Sequence, residues 1–162
     1  MNHFEQLKKL LEENKVYPII GNWNKHKIKH FKERPDKSKI NAFVTEMNNT
    51  LNNKNGLYAY YKNKKLLYVG KGKPLRGRIV SHFKEAYLEG RHRDELWPTF
   101  FREHAGLLEL YWIELENESV RISCESLITS IKEPYFFEFK KLFYQHKKKN
   151  NIQLNNSIYS NF

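Results

Sequence analysis

Two short runs of strand-forming residues, joined by a few polar residues, most constrain how this chain of 162 residues can fold. Residues 57–61 (Leu-Tyr-Ala-Tyr-Tyr) and 66–69 (Leu-Leu-Tyr-Val) are aromatic and aliphatic, and residues 62–65 (Lys-Asn-Lys-Lys) lie between them. This pattern predicts a β-hairpin. A three-residue loop would place Tyr58 directly opposite Tyr68, whereas a two-residue loop would place Ala59 there instead.

The residues after the hairpin predict a helix. Gly70-Lys71-Gly72-Lys73 follows the second strand, and Pro74 suits the first turn of a helix over about residues 75–89. Apolar residues recur along this segment at helical spacing. Arg78 and His82 are four residues apart, so we expect them to project together along one edge of the apolar stripe.

The rest of the chain predicts one more strand and several helices. Residues 107–113 are typical of a buried strand, whereas residues 21–39 are polar and basic and predict a loop or short helix. Helices are expected over residues 4–11, 40–51, 91–105 (interrupted near Pro98), the segment after Asn117, and 136–149. In the helix after Asn117, Glu125 lies at the border of an inward face formed by Ile122, Cys124, Leu127, Ile128 and Ile131.

The predicted fold class is α+β, with a small, three-stranded, mainly antiparallel sheet flanked by helices and an N-terminal helical extension. We expect three parts: a basic helical extension over residues 1–54, the main domain over 55–149 and a C-terminal tail over 150–162.

Composition excludes several classes of protein. Hydrophobic residues make up 40% of the chain and aromatic residues 15%, which excludes wholesale disorder. The single cysteine, Cys124, excludes an intramolecular disulfide framework and a cysteine-rich zinc site. The sequence also lacks an apolar stretch of membrane-spanning length and an N-terminal hydrophobic signal core. We therefore expect an intracellular protein, cytoplasmic or nucleoid-associated, that does not bind membranes.

The charges are segregated along the chain. The net charge is +11, which favours a polyanionic partner over mere compositional drift. Residues 61–84 contain six Lys and two Arg without any acid, whereas residues 101–138 contain eight acids against three basic residues. This layout is typical of a phosphate-binding surface beside a carboxylate that can hold a metal.

The hairpin and the helix after it resemble the GIY-YIG nuclease superfamily. Gly56-Leu57-Tyr58 is followed, nine residues later, by Tyr68-Val69-Gly70, which is similar to the paired tripeptides of that family. Arg78 with His82 one turn later, and Glu125 with Pro134 nine residues beyond it, match further family positions in order. The resemblance covers about residues 55–137.

The resemblance implies an endonuclease that hydrolyses phosphodiester bonds in DNA with Mg²⁺, for which Mn²⁺ could substitute. Glu125 would hold the metal, Arg78 would stabilise the charge on the phosphate, and His82 would share in proton transfer or hold a tyrosine. Tyr58 and Tyr68 are both candidates to activate the attacking water, and we favour Tyr58. Phosphate and DNA contacts are expected from Lys71, Lys73 and Arg76.

One position departs from the family and keeps an alternative open. The family usually has an asparagine about three residues after the proline, and this chain has Phe137 there. The alternative is a catalytically inactive module that keeps the GIY-YIG fold and binds nucleic acid, and a third hypothesis is a basic RNA-associated protein. DNA is expected in preference to RNA. The sequence does not decide between sequence, structure or lesion specificity, between restriction, mobile-element and repair roles, or between a monomer and a homodimer.

Overall fold

A computed structural model describes residues 23–87 and 95–159, with side chains in the last helix described through residue 148. Within these residues the chain forms an α+β structure, as predicted, with one four-stranded antiparallel sheet. The strands are β1 (Asn24–His30), β2 (Gly56–Lys62), β3 (Lys65–Gly72) and β4 (Gly106–Glu114), in the order β1-β4-β2-β3. The helices are α1 (Lys37–Leu51), α2 (Leu75–Glu85), α3 (Leu96–Glu103), α4 (Glu118–Ile131) and α5 (Tyr135–Tyr159).

The prediction of three strands was wrong, because β1 forms a fourth strand in a segment expected to be a loop or short helix. β1 pairs with β4 along its whole length, from Asn24 opposite Trp112 to His30 opposite Gly106. Its sequence alternates lysines with residues that face the core, among which Ile28 and His30 are buried. β1 is an edge strand with one buried face, and the lysines on its other face make the segment polar and basic overall. For this reason the sequence pattern predicts a loop or short helix. The predicted helix over residues 4–11 lies outside the described residues.

One face of the sheet, the core face, carries the main hydrophobic core. Tyr58 and Tyr60 of β2 and Leu108 and Leu110 of β4 are fully buried there. Helices α1, α2, α3 and α5 supply the other side of this core. Burying a side chain of this size stabilises the fold by about 1.5–3 kcal/mol relative to exposing it, so this layer dominates the stability.

The opposite face of the sheet, the second face, is covered in the described structure mainly by α4. Leu57 packs with Cys124 at one end, and Ala59 and Val69 pack with Ile128 of α4 beside them. The lysines of β1 project on this same face, because they alternate with the buried Ile28.

The hairpin register differs from both predicted alternatives. The loop has two residues, Asn63 and Lys64, each with positive φ (50° and 65°). A bulge next to Tyr60 then shifts the pairing, so that Tyr60 lies opposite Tyr68 and Tyr58 lies opposite Gly70. A two-residue turn with positive φ at both positions suits the twist of a hairpin, whereas the bulge has no signal in the sequence.

The helices α1 and α4 begin at capping residues, whereas the predicted interruption of a helix near Pro98 was wrong. Asp36 caps α1 by accepting a hydrogen bond from the Lys39 amide (2.9 Å), and Asn117 caps α4 through the Val120 amide (3.1 Å). Pro98 lies in the first turn of α3 and does not interrupt it, since this position needs no amide donor.

Two residues expected on the inward face of α4 are exposed. Ile122 is 45% exposed and Ile131 is 54% exposed, whereas Cys124 is buried as predicted. The helix lies over only part of the second face, so the buried stripe is narrower than the apolar pattern suggests. In the part of the chain that the structure describes, the helices are too short or too polar to cross a membrane.

Candidate functional site

The hairpin places two tyrosines on the core face at its open end. The rings of Tyr58 and Tyr68 are 5.9 Å apart. Gly70 makes this close approach possible, because a Cβ on it would lie 2.7 Å from the Tyr58 hydroxyl and 2.8 Å from the Tyr68 ring. Gly56 is equally constrained, since a Cβ there would collide with the Ile113 carbonyl. The two glycines of the paired tripeptides are therefore needed for packing.

Helix α2 brings Arg78 and His82 to the same tyrosines. His82 is fully buried, with its Nδ1 3.4 Å from the Tyr58 hydroxyl and its ring 5.4 Å from that of Tyr68. Arg78, one turn earlier, is on the exposed side of the helix, and its charge acts on both tyrosines. The i, i+4 spacing places both residues along the same side of α2, with His82 in the core and Arg78 nearer to solvent.

Burial keeps His82 neutral. Desolvation, with the nearby charge of Arg78, lowers the pKa of His82 to about 3. A neutral imidazole at physiological pH can accept or donate one hydrogen bond at Nδ1, and here that atom faces Tyr58. His82 is therefore suited to hold the Tyr58 hydroxyl and unsuited to carry a positive charge.

The two tyrosines differ in their access to solvent. Tyr58 is fully buried, and this burial raises its pKa well above the usual value. Tyr68 is partly exposed, and although burial also raises its pKa, the positive charge of Arg78 opposes the shift. Glu125 acts in the other direction on Tyr68, so this hydroxyl lies within the field of both charged residues. Tyr68 is the tyrosine that a water molecule and a phosphate could reach.

Helix α4 places Glu125 at the edge of the sheet next to β3. Its carboxylate accepts a hydrogen bond from the Lys71 ammonium (2.6 Å), and the Glu125 side chain is 23% exposed. Within residues 23–87 and 95–148, no three His, Cys, Asp or Glu side chains group together as metal ligands. A single reachable carboxylate fits Mg²⁺, which keeps several waters and needs few protein ligands.

The expected phosphate-binding residues have different surroundings. Lys73 is exposed beside the turn before α2, so it is accessible to a polyanion. Arg76 donates to the Asn48 side chain of α1 (2.9 Å), which ties it to the fold. Phe137, at the position of the usual family asparagine, is 46% exposed near the start of α5.

Aromatic residues from distant segments surround the candidate site, and the sequence reasoning missed them. The Trp97 ring of α3 lies 4.6 Å from His82 and stacks on Phe136 of α5 at 4.3 Å. Phe136 in turn contacts Tyr68 (5.3 Å). These rings exclude water from one side of His82 and Tyr68. The only sequence signal for this position is the helical spacing of apolar residues in α3 and α5, which indicates that they face the core.

Comparison with known proteins gives matches to one kind of protein. No family model matches the chain. UvrABC system protein C of Nautilia profundicola is 35% identical over 82 residues, which cover 49% of this chain and 13% of that protein. The same protein of Aliarcobacter butzleri is 36% identical over 87 residues (52% and 14%), and that of Helicobacter pylori is 34% identical over 88 residues (52% and 15%).

The structural matches are to the GIY-YIG N-terminal endonuclease domain of UvrC from Thermotoga maritima, bound to its catalytic divalent cation, magnesium. This domain is 22% identical, with a TM-score of 0.42, and the match covers 62% of this chain and 98% of that domain. The sequence similarity to UvrC over about half of the chain confirms the resemblance to the GIY-YIG nuclease superfamily. The GIY-YIG likeness extends over about half of this chain and about one-seventh of the length of the curated relatives.

Proposed function

We propose that this protein is a metal-dependent endonuclease that hydrolyses phosphodiester bonds in DNA through a GIY-YIG-type site. The observation that carries the proposal is the grouping of Tyr68, Arg78 and Glu125, a hydroxyl, a guanidinium and a carboxylate, at one edge of the sheet. Phosphodiester hydrolysis needs those three kinds of group. The sequence similarity to UvrC supports a nuclease on independent grounds.

Glu125 would hold the metal. Its carboxylate offers hard oxygen donors and already attracts a cation, the Lys71 ammonium at 2.6 Å. A bound Mg²⁺ would neutralise charge on the phosphate. Lys71 would then move from Glu125 to a phosphate oxygen, which a long and partly exposed lysine can reach.

Arg78 would bind the scissile phosphate. Its guanidinium remains charged at any physiological pH and offers donors in a planar fork that suits two phosphate oxygens. As charge builds up on these oxygens during the reaction, the hydrogen bonds from Arg78 strengthen. Lys73 would contact a neighbouring phosphate and add affinity without sequence choice.

Tyr68 is favoured over Tyr58 as the group that takes the proton from the attacking water. The sequence had favoured Tyr58, yet a fully buried hydroxyl is inaccessible to a water beside the phosphate. Tyr58 would instead support Tyr68 by packing, with His82 holding its hydroxyl (3.4 Å). Tyr68 would act as a base in its deprotonated form, which the charge of Arg78 favours.

DNA would be held by basic residues beyond the site. The expected contacts are the exposed lysines of β1 and the basic stretch at residues 147–149 of α5. The division into an extension, a nuclease domain and a tail is part of this proposal, as is a location inside the cell with the DNA.

The second candidate function is an inactive module that binds nucleic acid. Phe137 favours it, because an apolar side chain replaces the amide of the family's usual asparagine. Such a module would keep the basic surface and lose cleavage.

Incubation with supercoiled plasmid separates the two candidates. The wild type should nick plasmid with Mg²⁺ or Mn²⁺ and not with EDTA, whereas Glu125→Ala and Arg78→Ala should not nick. Lys140→Ala removes an exposed lysine of α5 outside the site and serves as the matched control. Absence of nicking by the wild type, with salt-sensitive binding retained, would favour the inactive module. Nicking that survives both site substitutions would refute the site assignment.

A further inference from the structure

The second face of the sheet carries an open groove that the proposed cleavage site does not use. Its volume is about 670 Å³, within the range of ligand sites in proteins. Three aromatic side chains line it, together with four aliphatic residues, two lysines and one glutamate. The lining includes Trp23, Tyr61, Lys64, Glu109, Tyr111 and Lys132.

The aromatic rings of the groove are held in place and partly accessible. The rings of Tyr61 and Tyr111 meet edge to face at 5.2 Å across β2 and β4. Neither ring is fully buried, and Trp23 is also partly exposed. In modules that bind single strands, bases stack on aromatic rings of a sheet surface, because every base has a flat face whatever its identity.

The charge around the groove suits a polyanion. Lys64 and Lys132 lie in the lining, and Lys25 stands 5.1 Å from the centre of the Tyr111 ring. Glu109 is the single acid of the lining, and Lys25 pairs with it at 2.6 Å. Lys27 and Lys29 of β1 are exposed on the same face and continue the positive surface beyond the groove.

Helix α4 connects the groove to the candidate cleavage site. Glu125 and Ile128 are three residues apart and lie along one face of the helix, and Lys132 directly follows the last residue of the helix. Lys132 is about 10 Å along the axis from Glu125, which corresponds to about three base steps of a stacked strand. A strand that enters the site at Glu125 could therefore continue into the groove.

We propose that this groove binds a single-stranded segment of the nucleic acid that is cut at Glu125. The inference rests on the proposed nuclease function for its position beside the cut, and on the groove alone for its ligand. Bases would stack on Tyr61, Tyr111 and Trp23, and Lys64 and Lys132 would contact phosphates. Paired bases in a duplex could not reach the apolar floor, so the ligand is a single strand.

The test is binding of a fluorescent oligo(dT) 12-mer to the full chain in EDTA, followed by anisotropy at several salt concentrations. The double variant Tyr61→Leu/Tyr111→Leu should weaken binding about tenfold or more, because a stacked base contributes that much to affinity. Lys64→Gln and Lys132→Gln should each reduce the slope of log K against log salt by about 0.7. Tyr144→Leu and Lys140→Gln change exposed residues outside the lining and should leave affinity and slope unchanged.

Two outcomes would overturn the proposal. Equal affinity of the tyrosine double variant and the wild type would show that the groove does not stack bases. Tighter binding of a 12-bp duplex than of oligo(dT) would show that the ligand is not a single strand. Because EDTA prevents cleavage, a wild type that binds oligo(dT) but never nicks plasmid would contradict the nuclease and leave this inference standing.

Discussion

At the scale of single residues, the environment of each tyrosine decides which role it can fill. Tyr58 ends the first tripeptide and Tyr68 begins the second, and from the sequence both are candidates for the base, with Tyr58 favoured. The structure buries Tyr58 against His82 and leaves Tyr68 partly exposed, within the field of Arg78. Spacing could predict that both tyrosines lie near the site, but burial depends on Trp97 and Phe136 from distant segments.

The first prediction concerns the pH dependence of cleavage. The pKa of Tyr68 is raised by burial, so its deprotonated form is a small fraction at pH 7 and grows tenfold per pH unit. The single-turnover rate should therefore rise about tenfold per unit between pH 7 and 9. Tyr68→Phe should lower the rate and flatten this profile, whereas Tyr58→Phe should keep its slope. A flat profile for Tyr58→Phe, with the slope retained in Tyr68→Phe, would assign the base to Tyr58.

The second prediction concerns the loss of folding stability in acid, to which two buried histidines contribute. Burial lowers the pKa of His30 and of His82 to about 3. In the unfolded chain the ordinary value is about 6.5, so between these limits the unfolded state binds more protons. The contribution of these two histidines to the free energy of unfolding is fully present above about pH 6.5. It is lost as the pH falls toward about 3, by about 1.4 kcal/mol per pH unit for each histidine.

His30→Phe tests this account by chemical denaturation between pH 4 and 6. The ring of His30 stacks on Phe101 at 4.6 Å, so a phenylalanine fits the surroundings. The slope of unfolding free energy against pH should fall by about 1.4 kcal/mol per unit. Phe101→Leu is the control, because it removes the stacked ring, lowers stability at every pH and keeps both histidines. An unchanged slope in His30→Phe would show that His30 titrates normally in the native state.

At the scale of elements, the sequence predicted those segments whose pattern is local. The hairpin, β4 and most helices follow from runs of apolar residues and from caps such as Asp36 and Asn117. β1 was missed because its lysines face away from the core and its partner β4 lies about eighty residues away. The bulge beside Tyr60 was missed because it depends on packing across the sheet, which no local pattern records.

The third prediction concerns the hairpin turn. Lys64 has a φ of 65°, a backbone conformation that is strained for residues with a Cβ and unstrained for glycine. Lys64→Gly creates Asn-Gly, the favoured pair for this turn, and should raise the free energy of unfolding by about 1 kcal/mol. Thermal and denaturant unfolding measure the change.

Lys65→Gly is the matched control for the turn. Lys65 is the first residue of β3, paired with Lys62, so glycine there should lower stability by about 0.5–1 kcal/mol. A loss of stability in Lys64→Gly would contradict the assignment of the turn.

At the scale of the whole molecule, the two faces of the sheet have different roles. The core face holds the hydrophobic layer that fixes Tyr58, Tyr68 and His82. In the described residues the second face packs against α4 and carries the lysines of β1, so it offers a basic surface beside Glu125. The segregation of basic and acidic residues predicted a phosphate-binding surface next to a carboxylate. It did not predict that Lys71 and Glu125 would pair, because that contact joins residues 54 positions apart.

The central claim is that Glu125 supports metal-dependent cleavage of a phosphodiester bond. The most direct measurement is single-turnover cleavage of an end-labelled DNA by the wild type and by Glu125→Gln, at saturating Mg²⁺. The variant keeps the size and the hydrogen-bonding ability of the side chain and loses its charge. We expect cleavage by the wild type and a rate at least about a hundredfold lower for Glu125→Gln, as fits the loss of several kcal/mol of charge stabilisation. Equal rates for the two proteins, or cleavage by the wild type that persists in EDTA, would contradict the account.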